Sequence, residues 1–217
     1  MIMTRPLRKL TLTVHVIASV GWVGALAVFL AHAVASLISR DEQVVRAASL
    51  AMDVTAWFVI LPLSLAALTT GLVQGLGTKW GLFRHYWVLF KLLLTAAATT
   101  VLLLKLGPID RLADAATEPT FPGADLIGLP ASLLVHAAGG LLVLVAATVL
   151  AIYKPAGMTR YGARKAREHD SAGAEPGLEQ VTTTPLWVKV FGAIVILLML
   201  LVSVMLLGGN HGPGAHL

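Results

Sequence analysis

The sequence predicts an all-helical integral membrane protein, and its composition and hydrophobic segments support that prediction. Hydrophobic residues make up 57% of the 217-residue chain and charged residues only 12%, whereas a soluble domain is about half apolar and about a quarter charged. So few polar residues cannot cover a soluble globule. Five segments are long and apolar enough to cross a bilayer, which takes about 20 residues. We therefore expect one polytopic domain over residues 1–217, built as a four-helix bundle plus one further helix.

The five predicted spans follow one another with loops of different character. Three basic residues precede the first span, as in a signal peptide, but its apolar run is too long for one and indicates a retained helix. Pro62 is expected to kink the second span, and Pro108 to open a separate short helix through Ala116 after the third. Small residues in the first and fourth spans allow close helix contact. The spans cover about 10–37, 50–76, 86–106, 131–153 and 186–207.

The positive charges predict how the chain is threaded. If the N-terminus is cytoplasmic, the inner segments hold ten Lys and Arg residues and the outer loops three. Lysine and arginine are enriched on the cytoplasmic side of membrane proteins, which favours an N-terminus inside and a C-terminus outside. The stretch 154–185 is then a cytoplasmic linker loop. The formal net charge of +5 is thus a topology signal, and no nucleic-acid partner is expected.

Several chemistries are excluded or disfavoured by residues that the chain lacks. There is no cysteine, which excludes disulfides, iron–sulfur clusters and covalent c-type haem. The glycine-rich stretch 75–79 does not match the phosphate-binding loop pattern and follows no strand. No carboxylate pair lies deep within the predicted spans, which argues against a proton-coupled transporter of the usual kind.

Ionisable residues within the spans are the functional candidates, because such groups are costly in a bilayer. Their depth, counted at about 1.5 Å per residue from each span's midpoint, sorts them into two layers. His15 and His136 lie well inside their spans, but on opposite sides of the midplane, so they are poor partners for one iron. The inner layer contains His15, His85 and Lys91, and the outer layer contains His32, Asp53, Lys105 and His136.

Each candidate also has a structural interpretation. His85 adjoins aromatic residues, as in an interfacial belt, and Lys105 is close enough to a span end to extend its ammonium group to water. Asp53 is interpreted as a charge near a helix N-terminus, and His32 as a side chain wetted at the outer interface. These interpretations are favoured over functional ones for His85, Lys105 and Asp53.

The two deepest histidines are harder to explain structurally. A buried neutral histidine binds either a backbone carbonyl or a ligand, and the sequence weighs these two interpretations equally for His15 and His136. Small residues share a helix face with His136, which suits a flat porphyrin and a neighbouring helix equally well. Lys91 lies at about the depth of His15, although its long stem could also reach the inner headgroups.

Short motifs resemble a group of small bacterial membrane proteins. Residues 12–15 (Leu-Thr-Val-His) and 21–24 (Gly-Trp-Val-Gly) resemble the first helix of copper-resistance D-type proteins and of HemJ-type protoporphyrinogen oxidases. Residues 87–92 resemble a later helix of these proteins in which an aromatic residue precedes a lysine. The chain most resembles a family of uncharacterised actinobacterial multipass membrane proteins, notably in 84–87 and 154–162.

The resemblance implies a bacterial plasma-membrane protein in which His15 and Lys91 line a cofactor site. A first-helix histidine is linked with haem in HemJ-type proteins, but the rest of their pattern is not visible, so their enzymatic activity does not carry over. The copper-resistance relatives imply metal handling. His32, Asp53 and His136 suit that role, since imidazole and carboxylate bind divalent metals.

Three hypotheses remain open, with the lipid bilayer as a partner in each. The first is a b-type haem with an electron-transfer or tetrapyrrole-related role, working with a membrane redox partner or as a homo-oligomer. The second is metal-ion transport or sensing by the outer layer. The third is a cofactor-free scaffold whose histidines bind backbone carbonyls. The cofactor candidates are His15, His85, Lys91 and His136, and the metal candidates are His32, Asp53 and His136.

Overall fold

The structure, a computed structural model, is 89% helical over the residues that it describes, and these form no strand. Four helical segments are long and apolar enough to cross a membrane, with α2, a π-helical turn and α3 forming one continuous segment. An all-α multipass membrane protein is therefore confirmed. The described residues are 3–77, 82–119, 128–155, 157–164, 185–190, 192–193 and 196. The elements are α1 (Arg5–Ile38), α2 (Glu42–Thr55), the π-helical turn (Ala56–Ile60), α3 (Leu61–Gly77), α4 (Tyr86–Thr117) and α5 (Leu129–Tyr153).

The fifth predicted span, 186–207, lies mostly outside the described residues, although 186–190 are helical. The count of five spans and the bundle of four helices plus one therefore stay predictions. The part of the predicted linker between 165 and 184 also lies outside the described residues, as does the C-terminal tail.

The second membrane helix begins earlier than its apolar run indicates. The Asp41 side chain accepts a hydrogen bond from the Gln43 backbone N–H at 2.9 Å, which caps a helix that starts at Glu42. An aspartate at this position satisfies a backbone donor that would otherwise lack a partner. Asp53 is consequently well inside the helix, and its interpretation as a charge near a helix N-terminus is wrong.

The two prolines affect their helices differently. One π-helical turn immediately precedes Leu61 and Pro62, so the irregularity expected at Pro62 is a wider turn. The prediction of a separate short helix from Pro108 is wrong, because α4 continues through Pro108 to Thr117. Ile109 and Leu112 follow that proline and are almost fully buried in the core, and we infer that this packing offsets the lost backbone hydrogen bond.

The chain divides into two compact units, one formed by Met1–Leu82 and Trp87–Lys154 and the other by Phe83–Tyr86 and Pro155–Leu217. In the first unit, α1 packs against α2, α3 and α5. Gly140 of α5 lies against Leu26, where an added Cβ would be 3.3 Å from Leu26 Cδ2, so a small residue does permit close approach here. The buried stripe of α1 recurs every three or four residues and consists of His15, Ala18, Trp22, Leu26, Phe29, Ala33 and Ser36.

Candidate functional site

The inner layer of the first unit contains a hydrogen-bonded site centred on His15. This histidine is only 8% exposed, and its Nδ1 lies 3.0 Å from the Ala67 carbonyl oxygen and 3.0 Å from Thr70 Oγ1. Because a carbonyl can only accept, Nδ1 must carry the proton in this arrangement. The other ring nitrogen, Nε2, is then left with a lone pair.

Lys91 of α4 completes the site from a third helix. Its Nζ lies 3.2 Å from His15 Nε2 and donates to that lone pair, while the Lys91 carbonyl accepts from Thr95 Oγ1. Among the described residues, no carboxylate lies within ion-pair distance of Lys91. Sequence depth placed His15 and Lys91 in one layer, and the structure brings them into contact.

Helix α3 provides the surface that holds the His15 ring. A Cβ at Gly71 would lie 3.2 Å from His15 Cε1, so the ring edge rests against the helix backbone there. One turn further along α3, Gln74 Nε2 donates to the Thr11 carbonyl of α1 at 3.1 Å. Thr70 and Gln74 are not among the predicted site residues, although two polar residues four apart in an apolar run indicate one polar helix face.

The outer layer is arranged differently, because some of its buried polar atoms have no partner. His136 Nδ1 donates to the Ser132 carbonyl of its own helix at 2.7 Å. Within the part of the chain that the structure describes, buried His136 Nε2, His32 Nδ1 and Ser36 Oγ make no hydrogen bond. This leaves His136 Nε2 as an available lone-pair nitrogen.

Asp53 lies among other acidic residues on the outer side of the first unit. Its carboxyl lies near that of Asp110, which accepts a hydrogen bond from Trp57 Nε1 at 2.7 Å. The described residues contain no group of three or more His, Cys, Asp and Glu placed to hold one metal ion. His32, Asp53 and His136 are therefore not gathered into such a group.

His85, the remaining cofactor candidate, belongs to the second unit. It forms an isolated antiparallel β-bridge with Met158. Beside this bridge, the Tyr86 N–H donates to the Gly157 carbonyl at 3.4 Å and the Thr159 N–H to the Arg84 carbonyl at 3.0 Å. The start of the predicted linker therefore pairs with the segment that leads into α4.

The chemistry of this site rests on a histidine with a fixed tautomer beside a lysine. A histidine that ligates a metal commonly donates its other N–H to a carbonyl or carboxylate, as Nδ1 of His15 does. The geometry thus provides one nitrogen ligand and one cationic group for an anion. Comparisons with protein families, curated proteins and solved structures find no match for the chain.

Proposed function

We propose that this multipass membrane protein binds a b-type haem, or a closely related tetrapyrrole, at His15 and Lys91, and that it acts in electron transfer or tetrapyrrole chemistry. The observation that carries the proposal is the 3.2 Å contact between Lys91 Nζ and His15 Nε2. His15 would supply a nitrogen ligand and Lys91 a positive charge for a carboxylate of the tetrapyrrole. A bound haem would supply one-electron redox chemistry.

The argument for an anionic ligand starts from Lys91. Charged residues within membrane helices are costly and usually pair with another group, and no carboxylate in the described residues pairs with this one. Its partner is His15, whose neutral ring offers a lone pair but no negative charge. The carboxylates of a tetrapyrrole would balance the positive charge of the lysine, and the histidine would be a ligand of its metal. The resemblance of residues 12–15 and 87–92 to haem-linked proteins supports the same ligand class.

The fit of a haem to these residues sets one condition. An iron on His15 Nε2 would take the place that Lys91 Nζ holds, so ligation requires the lysine side chain to turn away. Its stem of four carbons provides the freedom to do so. The Nδ1 bonds to Ala67 and Thr70 would remain and would keep the ring oriented.

The cofactor-free scaffold is the alternative that this geometry also accommodates in part. It expects His15 to bind a backbone carbonyl, as it does at Ala67, but it gives no reason for a lysine at the second ring nitrogen. Metal transport or sensing has less support, because the described residues form no three-ligand group from His32, Asp53 and His136.

An optical spectrum with metal analysis tests the proposal directly. The full chain is expressed with ample haem and purified in mild detergent. We expect a Soret band and haem iron in the unmodified protein, loss of both in His15→Ala, and a shifted or weakened band in Lys91→Met. His136→Ala is the matched control and should keep the band.

Three results would overturn the proposal. Loss of the band in His136→Ala alone would move the ligand to the outer layer. A non-haem metal in the purified protein would favour metal handling. Colourless, metal-free protein in which His15→Ala changes only stability would favour the scaffold.

A further inference from the structure

We propose that the second unit holds a binding site for an anionic phospholipid headgroup, formed by Arg84, Arg160 and Arg164. The three arginines come from two segments that are far apart in sequence. This inference does not depend on a cofactor in the first unit. It rests on the backbone contacts that join the two segments and on the positive charge of both segments.

The joint between the segments is specific in its geometry. The Thr159 N–H donates to the Arg84 carbonyl at 3.0 Å, and Thr159 Oγ1 donates to the Phe83 carbonyl. Gly162 is buried against the same backbone segment, where an added Cβ would clash with the Arg84 carbonyl oxygen. Only glycine fits at that contact, so the helical turn over 160–164 packs directly against the Arg84 backbone.

The charges around this joint favour an anion. Arg160 and Arg164 are both exposed and are four residues apart in one helical turn, so they share a face. Like charges at that spacing destabilise a helix, and an anion between them removes the repulsion. Residues 79–86 and 154–167 together contain seven Lys and Arg residues, so both segments are strongly basic.

The apolar surroundings identify the anion as a lipid rather than a free ion. Phe83, Met158 and Tyr161 are about half exposed or more, and the Arg164 guanidinium lies 6.0 Å from the centre of the Tyr161 ring. In sequence, the two segments adjoin the ends of membrane helices, since α4 starts at Tyr86 and α5 ends at Tyr153. Apolar side chains beside arginines, next to helix ends, are typical of residues at a membrane interface. The inner leaflet, where the positive-inside count places these segments, is the anionic one.

Lipid binding by the full-length protein tests this site. The protein is placed in nanodiscs of phosphatidylcholine with added phosphatidylglycerol, and bound phosphatidylglycerol is quantified by native mass spectrometry. A basic residue near an anionic surface contributes roughly a five-fold change in affinity, so Arg160→Gln/Arg164→Gln should weaken binding about 30-fold. Arg5→Gln/Arg8→Gln removes two arginines elsewhere, as the matched control, and should leave binding at the site unchanged.

Gly162→Ala separates the geometry of the site from its charge. It keeps every arginine but pushes the helical turn away from Arg84, so we expect a loss of binding comparable to that of the double arginine variant. Thermal unfolding in phosphatidylcholine alone checks that all variants remain folded. The proposal would be overturned if both double arginine variants lost phosphatidylglycerol binding equally, or if Gly162→Ala kept full binding. Either result would mean that general surface charge, and not a specific site, attracts the lipid. Release of the lipid by millimolar inorganic phosphate would mean that the arginines bind a free anion instead.

Discussion

The inner and outer polar layers of the first unit contain similar residue types but satisfy them differently. In the inner layer, both ring nitrogens of His15 have partners on other helices, at Ala67, Thr70 and Lys91. In the outer layer, His136 bonds only its own helix, at Ser132, and its Nε2 makes no hydrogen bond within the described residues. Two histidines that both lie well inside their spans therefore differ in whether other helices supply their hydrogen-bond partners.

The largest expected effect is the loss of His15. His15→Ala should lower the free energy of unfolding by about 3 kcal/mol, because removing one member of a buried polar pair leaves the other, Lys91, without a partner. Steric trapping in bicelles measures this quantity in a membrane protein. His15→Asn is the control, since its side-chain amide can still donate to the Ala67 carbonyl, and it should recover part of the loss. A cost below about 1 kcal/mol for His15→Ala would mean that the inner site does not tie the helices together.

The Trp57–Asp110 bond gives the outer side its own test. Trp57→Phe removes the indole N–H that donates to the Asp110 carboxyl and should cost about 1 kcal/mol, the usual net value of a protein hydrogen bond. Phe58→Leu changes the neighbouring side chain, which is 75% exposed, and serves as the control. The same unfolding measurement applies to both variants. If the two variants lower the free energy of unfolding equally, the hydrogen bond from the indole N–H to Asp110 makes no measurable contribution to stability.

The unpartnered nitrogen of His32 predicts an effect of the opposite sign. A buried polar atom without a hydrogen bond is destabilising, so His32→Leu should raise the free energy of unfolding by about 1 kcal/mol. Ser36→Ala, on the same side of α1, should have a smaller effect in the same direction. Destabilisation by either change would contradict this prediction, because it would indicate that the replaced polar atom does have a stabilising hydrogen-bond partner.

The sequence predicts the membrane helices well because their signal is the length and hydropathy of a single segment. It also places His15 and Lys91 at similar depth, since depth follows from counting residues along a helix. It does not predict their contact, which depends on which helices are neighbours and on how each is rotated. The partners of His15 on α3 lie more than fifty residues away in sequence.

The helix ends were harder to predict, and this affected the outer layer most. The apolar run ends near residue 106, but the packing of Ile109 and Leu112 extends α4 to Thr117. The apolar pattern thus places Asp110 in a separate short helix beyond the third span, so its nearness to Asp53 could not be anticipated. Tertiary packing overrode the local preference of Pro108 to end a helix.

The smallest predicted effect uses two neighbouring threonines to isolate one contact between helices. Thr70 Oγ1 reaches His15 Nδ1 at 3.0 Å, whereas Thr69 Oγ1 donates only to carbonyls of its own helix, at Leu65 and Ala66. Valine replaces either hydroxyl with a methyl group, so Thr70→Val should cost about 0.6 kcal/mol, the mean for a hydrogen bond between membrane helices, and Thr69→Val close to none. Combining each change with His15→Ala sharpens the test, because the Thr70 effect should vanish without the histidine and the Thr69 effect should not change. An unchanged Thr70→Val cost in the His15→Ala background would show that the hydroxyl acts through its own helix, and the inner layer would then differ from the outer one only at Lys91 and Ala67.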